Sequence, residues 1–366
     1  MLPKIRTLTV IAMLALSGCS SGKPVSAVHH RHSLSAIIAL HHGNEILVQR
    51  GYSIGPIAAS SRYVFWGAAS SDESDDALLL RRELHTGANR VVAHRFFQAF
   101  GLATAANSVV YTTRSGTNAQ LEAMPAAGGP AQILTRMLAA PFDARGDIVA
   151  WAESDAKHNR VLFQHLRTGR RTIAFAAPRC IGNRCYRIDR VTVARRGVVF
   201  DLGSVGQGYP SLIVRRSWSA SHPSFARVPR DPQPDLARSS AGALYYQLGQ
   251  GWMEWNFGRP RPTPTWPRGV RPWLLAHEDA RDVVIRGADC ATTVALHTRG
   301  GKTSPLPLPA SKRVTTDRLG KLCRQLTGFA WSGSRLFLAW SITPQVSIEA
   351  HEQIGVAGVI TASNVH

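Results

Sequence analysis

Residues Pro141–Ile173, PFDARGDIVAWAESDAKHNRVLFQHLRTGRRTI, decide how this chain is read. A short strand meets a turn at Gly146. An apolar strand Ile148–Trp151 and a polar loop follow, then an alternating strand Val161–Leu166, a turn at Thr168–Gly169, and a last strand around Thr172–Ala174. Period-2 alternation broken by glycine and charged turn residues is the pattern of antiparallel strands.

Four strands in roughly 40 residues make one unit of a radially repeated sheet, a propeller blade. One such unit cannot bury both of its faces, so it must recur. It does. The apolar second strand returns as segments ending at Trp66, Tyr111, Trp151, Phe200, Tyr246, Ile285 and Trp340, at steps of 45, 40, 49, 46, 39 and 55 residues. A second marker, the turn between third and fourth strands, falls at Thr86–Gly87, Gly128–Gly129, Thr168–Gly169 and Gly300–Gly301. Gly87 to Gly128 to Gly169 is 41 residues each time, and Gly169 to Gly300 is 131, close to three further units. Two markers with one period predict an all-β chain, a seven-bladed β-propeller of four-stranded antiparallel blades.

The aromatic-ended strands and Thr-Gly turns resemble the TolB-like and WD-like β-propellers of bacterial exported proteins, over roughly residues 55–362. The Ser-Pro-Asp-Gly turn of that family has its nearest counterpart in Ala144–Arg145–Gly146–Asp147, and the Trp-Asp dipeptide of WD repeats is missing. Leu34–Arg50 reads as a hairpin turning at His42–Asn44, placed either as an outer strand of the last blade or beneath it. The hairpin is assigned residues 34–54 and the propeller 55–362. Blade five departs most, with Trp252, Trp255 and an extended proline-rich excursion Pro260–Pro267. A polar insertion Lys312–Gln325 precedes blade seven, and Ile354–Ala362 is expected as an outer strand.

The amino terminus reads as an export signal. Lys4 and Arg6 precede an apolar run Leu8–Leu16 too short to span a bilayer. Leu16-Ser17-Gly18-Cys19 resembles the lipobox of bacterial lipoproteins, which implies a signal peptide over 1–18, cleavage before Cys19, and acyl chains on Cys19. Two or three chains anchor firmly where one binds reversibly. Residues 19–33 then form a flexible tether. Its histidines, His29, His30 and His32, lack the fixed geometry and the carboxylate or cysteine partners of a metal site.

The formal charge is +20, carried by 37 Arg and 6 Lys against 23 acidic residues. No basic helix or aromatic-flanked basic motif accompanies it, so nucleic acid is not expected as a partner. The four remaining cysteines, Cys180, Cys185, Cys290 and Cys323, form an even set in an exported chain, which favours disulfides over four buried thiols. Proximity pairs 180 with 185 and 290 with 323, although three connectivities are open.

Short motifs carry little chemistry. Gly51-Tyr52-Ser53-Ile54-Gly55 matches a nucleophile elbow, but Pro56 and a further strand follow where a helix is needed. Gly301-Lys302-Thr303 is a hairpin turn without the first glycine of a phosphate loop. The acidic run Asp72–Asp76 lacks the glycine and closing glutamate of a calcium loop. The inter-blade loops each hold an arginine, Arg95, Arg136, Arg179, Arg230, Arg271 and Arg313, a positive mouth for an anionic ligand. The expectation is a non-catalytic binding or scaffold module without cofactor or metal. It would be a monomer, lipid-anchored on the extracytoplasmic face of the bacterial cell membrane, and engage an envelope protein or anionic polymer. The alternative is a propeller hydrolase or lyase acting on an anionic saccharide or peptide at the channel mouth. A propeller dehydrogenase has no visible cofactor ligand set.

Overall fold

Trp66, Tyr111, Trp151, Phe200 and Trp340, five of the recurring aromatics, lie in the second strands of successive antiparallel sheets and are buried to 2 % exposure or less. The computed structural model describes residues 37–38, 45–50, 53–69, 77–115, 118–205, 212–227, 236–238, 243–247, 251–255, 261–262, 276–278, 281–286, 293–298, 303–306, 308–309, 322–344 and 357–364. The chain divides into two units, 1–34 and 35–366. The first lies wholly outside the described residues, and with it the signal segment, Cys19 and the whole tether.

A hairpin opens the described chain, β1 (Ile37–Ile38) and β2 (Glu45–Arg50). Meanders follow. The first is β3 (Ser53–Ala59), β4 (Tyr63–Ala69), β5 (Ala77–Glu83) and β6 (Asn89–Phe96). The second is β7 (Leu102–Ala105), β8 (Ser108–Ser115), β9 (Asn118–Pro125) and β10 (Gln132–Leu138), and the third β11 (Asp143–Arg145), β12 (Ile148–Ser154), β13 (His158–His165) and β14 (Arg171–Pro178). The fourth has five strands, β15 (Cys180–Ile181), β16 (Arg184–Ala194), β17 (Gly197–Val205), β18 (Leu212–Ser217) and β19 (Ser224–Arg227). The fifth runs β20 (Leu236–Arg238), β21 (Ala243–Gln247), β22 (Gly251–Trp255) and β23 (Arg261–Pro262), and the sixth β24 (Ala276–Glu278), β25 (Arg281–Arg286), β26 (Thr293–Thr298) and β27 (Thr303–Pro305). The last sheet orders β1, β2, β30 (Ala357–Asn364), β29 (Arg335–Pro344) and β28 (Leu322–Ser332).

Cores lie between neighbouring sheets, which makes the chain a β-propeller. Phe65 and Phe96 of the first meet Tyr111 of the second. Leu121 and Leu138 meet Trp151 of the third, and Phe163 and Phe175 meet Phe200 of the fourth. Val294 and Leu296 of the sixth meet Trp340 of the last, and Phe337 and Ile360 of the last meet Trp66 of the first. Between the fourth, fifth and sixth sheets the inner strands β16, β20 and β24 meet in turn. Each of these five aromatics therefore plugs the interface with the preceding sheet. That is why it recurs, and complete burial is worth roughly 2–3 kcal/mol per large apolar side chain.

Ring closure is covalently remote and physically direct. β2 pairs antiparallel with β30 through Gln49↔Gly358 and neighbouring pairs, so residues from the chain start complete its final sheet. The hairpin is thus part of the last blade. Three expectations change with this register. Ile354–Ala362 corresponds to the third strand, not an outer one, because β2 covers its edge. Residues 322–325 of the expected insertion open β28, and Arg261–Pro262 forms a two-residue edge strand, where proline costs no ladder bond. The turns between third and fourth strands behave as their sequence requires: Gly87, Gly128, Gly129 and Gly169 hold positive φ, which glycine adopts without strain.

Candidate functional site

All inner strands run the same way, so connections between sheets emerge on one face together with the second-to-third-strand loops. Inner-strand length decides what stands on that face. β7 has 4 residues and β11 has 3, whereas β16 and β28 have 11 each. At about 3.3 Å per residue, the two long strands continue well past their neighbours. Each keeps its partner, β16 through Cys185↔Val205 and β28 through Leu322↔Pro344. In the fourth and last sheets, therefore, the inner strand itself forms a paired ribbon up to the connection face, where in the second and third the preceding outer strand takes its place.

Both ribbons carry a disulfide. Cys180 and Cys185 face each other across the β15–β16 hairpin and are bonded. Cys323 is also disulfide-bonded, its partner lying outside the described residues, as does Cys290.

The fourth-sheet ribbon holds two carboxylates. Its register slips between Ile188 and Val191, a bulge that leaves the N–H groups of Asp189 and Arg190 without ladder partners. Asp201 Oδ1 accepts both, at 3.1 and 2.8 Å. Asp201 is 6 % exposed, and burial, then the Asp189 charge, raises its pKa to about 6 against the pull of the two N–H bonds. Asp189 is likewise raised by burial, opposed by Arg187 and Arg190, and Arg187 Nε lies 2.6 Å from its Oδ1. Gly203, opposite Arg187 in the ladder, leaves room for this carboxylate: a Cβ there would lie 2.6 Å from Asp189 Oδ2. On the other ribbon, the Nε of half-buried Arg324 is enclosed without a hydrogen-bond partner among the described residues.

A third feature explains the Gly-x-Ser-x-Gly match. Ser53 lies in strand β3, opposite Ala69, and the chain goes on as strand with no strand-to-helix turn. The side chain of Gln98, from a one-turn 3-10 helix Gln98–Phe100 joining the first two sheets, packs over Gly55 so closely that a Cβ there would lie 2.2 Å from its Oε1. Gly55 is a packing glycine.

The expected arginine ring is only partly inter-blade loop. Arg95 and Arg136 lie in outer strands β6 and β10, which run on because their ends cross to the next sheet through Phe96↔Thr113 and Leu138↔Glu153. Arg95 has φ 59, and Arg136 Nη1 is 3.4 Å from Gln120 Oε1. Arg179 is in a connection, donating from its backbone N–H to Lys157 O (2.7 Å) and from Nη1 to Asp155 O (3.4 Å). Arg230, Arg271 and Arg313, like the acidic run Asp72–Asp76 and Lys302, lie outside the described residues. Sequence reading missed Asp189, Asp201, Arg324 and Gln98. One signal was present: GVVFDLGSV is an apolar strand with a single acid at its centre.

No family model matches this chain. No curated protein matches it either. Solved structures do. A structure from work on two prolyl endopeptidases superposes with TM-score 0.56 at 14% identity, over 80% of this chain and 45% of that one, so this chain spans less than half of its length. The β-propeller domain of the Trilobed protease from Pyrococcus furiosus, described as having an open velcro topology, gives 0.54 at 6% identity over 86% and 95%. TolB from Acinetobacter baumannii gives 0.37 at 11% identity over 70% and 55%. The first two likenesses show the propeller fold alone.

Proposed function

We propose that this chain is a seven-bladed propeller, tethered through lipidated Cys19 to the extracytoplasmic face of a bacterial membrane. It acts as a monomeric binding module for an anionic polymer or acidic segment of an envelope protein, held between the two ribbons. The observation that carries this is Arg324. Its guanidinium Nε is enclosed at the start of β28, on the connection face, with no acceptor among the described residues. A carboxylate, sulfate or phosphate oxygen supplies the missing acceptor, and a hydrogen bond to a charged group is the stronger kind. Arg187, paired with Asp189 at 2.6 Å but with its side chain largely exposed, offers a second cation on the other ribbon.

Poly-glutamate and dextran sulfate are suitable probes. Arg324→Met weakens binding roughly tenfold and flattens its salt dependence, whereas Arg195→Met at the opposite turn leaves binding unchanged. Equal affinity of Arg324→Met and the parent chain excludes the site.

One observation favours an enzyme instead. Asp189 and Asp201 repel each other's charge, and one of the couple is held near neutrality in its proton affinity, as a general acid requires. Hydrolysis or eliminative cleavage of an anionic saccharide or peptide, lost in Asp201→Asn, would establish that reading over simple binding.

A further inference from the structure

The geometry points to a membrane-facing edge: the outer strands of the second, third and fourth sheets form a docking surface for an anionic phospholipid bilayer. Four large apolar side chains stand exposed there, Ile133 (40%) and Met137 (39%) on β10, Ile173 (56%) on β14 and Phe225 (54%) on β19. The strands are contiguous. Arg171 of β14 donates to Leu134 O of β10 at 2.7 Å, and Phe175 of β14 lies 6.4 Å, ring to ring, from Phe225.

Charge selects the occupant. The outer strands of the first four sheets and the turns entering them (84–96, 126–138, 166–178 and 218–227) hold seven arginines and no Asp or Glu. Exposed Arg167 and Arg170 stand at the turn entering β14. Apolar side chains among uncompensated arginines match an anionic lipid interface, where the former enter the acyl boundary and the latter meet phosphates. A partner adding a strand is disfavoured. β10 carries two register shifts against β9 and β14 one against β13, and such bulges interrupt the straight ladder that edge pairing needs.

The chain enters at the last sheet, not at the second to fourth. β1 is the outermost strand of the last sheet, so the polypeptide joins the disc at its rim and not at its axis. From Cys19 to Ile37 the 18 steps reach at most about 60 Å. This last point rests on the anchor proposed above; the charge and exposure of the rim do not.

Hydrogen exchange on the full chain, reconstituted as purified from membranes, tests it. Vesicles of equal parts phosphatidylglycerol and phosphatidylcholine are compared with pure phosphatidylcholine. Each arginine near an anionic surface contributes about fivefold in partitioning. Exchange over 132–138, 171–178 and 224–227 therefore slows by at least about fivefold on the anionic vesicles. Arg167→Ser with Arg170→Ser, or Ile173→Ser alone, removes that slowing, and Arg195→Ser with Arg196→Ser on the disc face leaves it intact. Equal exchange on both vesicles overturns the proposal. So does protection confined to 184–188, which would lay the ribbons on the membrane. Protection that grows with protein concentration without lipid assigns the rim to a second copy and also overturns it. The mass of the Cys19 peptide reports acylation separately, so a missing anchor and a missing rim contact are told apart.

Discussion

Gly358→Ala tests the closure of the ring at one atom. Gly358 sits in β30, between its pairs with Gln49 and Ser341, and faces Ile54 of β3 in the first sheet. A Cβ at Gly358 would lie 2.0 Å from Ile54 Cγ1 and 2.4 Å from its Cδ1. Ile54 is 1% exposed and cannot swing into solvent. Forcing a methyl into such a site costs about 1–3 kcal/mol. Removing the obstacle with Ile54→Ala leaves a cavity and costs about 2–5 kcal/mol by itself. In the double variant the new methyl enters the space that Ile54 vacates. The two costs then fail to add, with a favourable coupling of about 1–2 kcal/mol. For a propeller of this length each kcal/mol moves Tm by about 1.5 °C. Calorimetry on the four members of the cycle reads the coupling directly. Additivity within about 0.5 kcal/mol means that β30 and β3 do not pack as described, and the closure would have to be redrawn.

Asp201 predicts a pH dependence with a definite sign. Its pKa is raised in the folded chain to about 6 from an ordinary 3.8, so between those values the native state holds the proton more tightly than the unfolded chain. Its contribution is therefore most favourable in acid and is lost as pH rises through about 6, by up to about 3 kcal/mol. Asp201→Asn keeps an acceptor for the Asp189 and Arg190 N–H groups but cannot ionise. Chemical denaturation should find it close to the parent chain at low pH and more stable at pH 8; a variant less stable at both would contradict the assignment. Asp143 ties the third sheet to the fourth by accepting the Val193 N–H at 2.7 Å. Asp143→Ala leaves that N–H unpaired at a cost of about 1–3 kcal/mol. Asp143→Asn should recover most of it in thermal melts, and equal loss in both would show that charge, not the bond, matters there.

Particular residues show where sequence was legible. Trp66, Tyr111, Trp151, Phe200 and Trp340 announced themselves because a radially repeated sheet must present the same bulky plug to each predecessor, so one packing requirement recurs along the chain. Gly87, Gly128 and Gly169 were equally plain, since a local φ requirement is met by a local residue. Asp189 and Asp201 were not. They belong together only after β16 and β17 have paired with a bulge, and nothing within either strand encodes that slip. Arg95 and Arg136 were placed in loops because strand ends were judged by alternation, while the crossovers to the next sheet extend those strands.

By itself the sequence determined that this protein is built of recurring antiparallel sheets, because periodic alternation and turn glycines act over a few residues and need no distant partner. The tertiary structure alone decided how the ring closes, which carboxylates share a bulge, and why Gly55 and Gly358 lack side chains. Those features arise between residues from 12 to about 300 positions apart, and only strand pairing and packing bring such residues within a few ångströms.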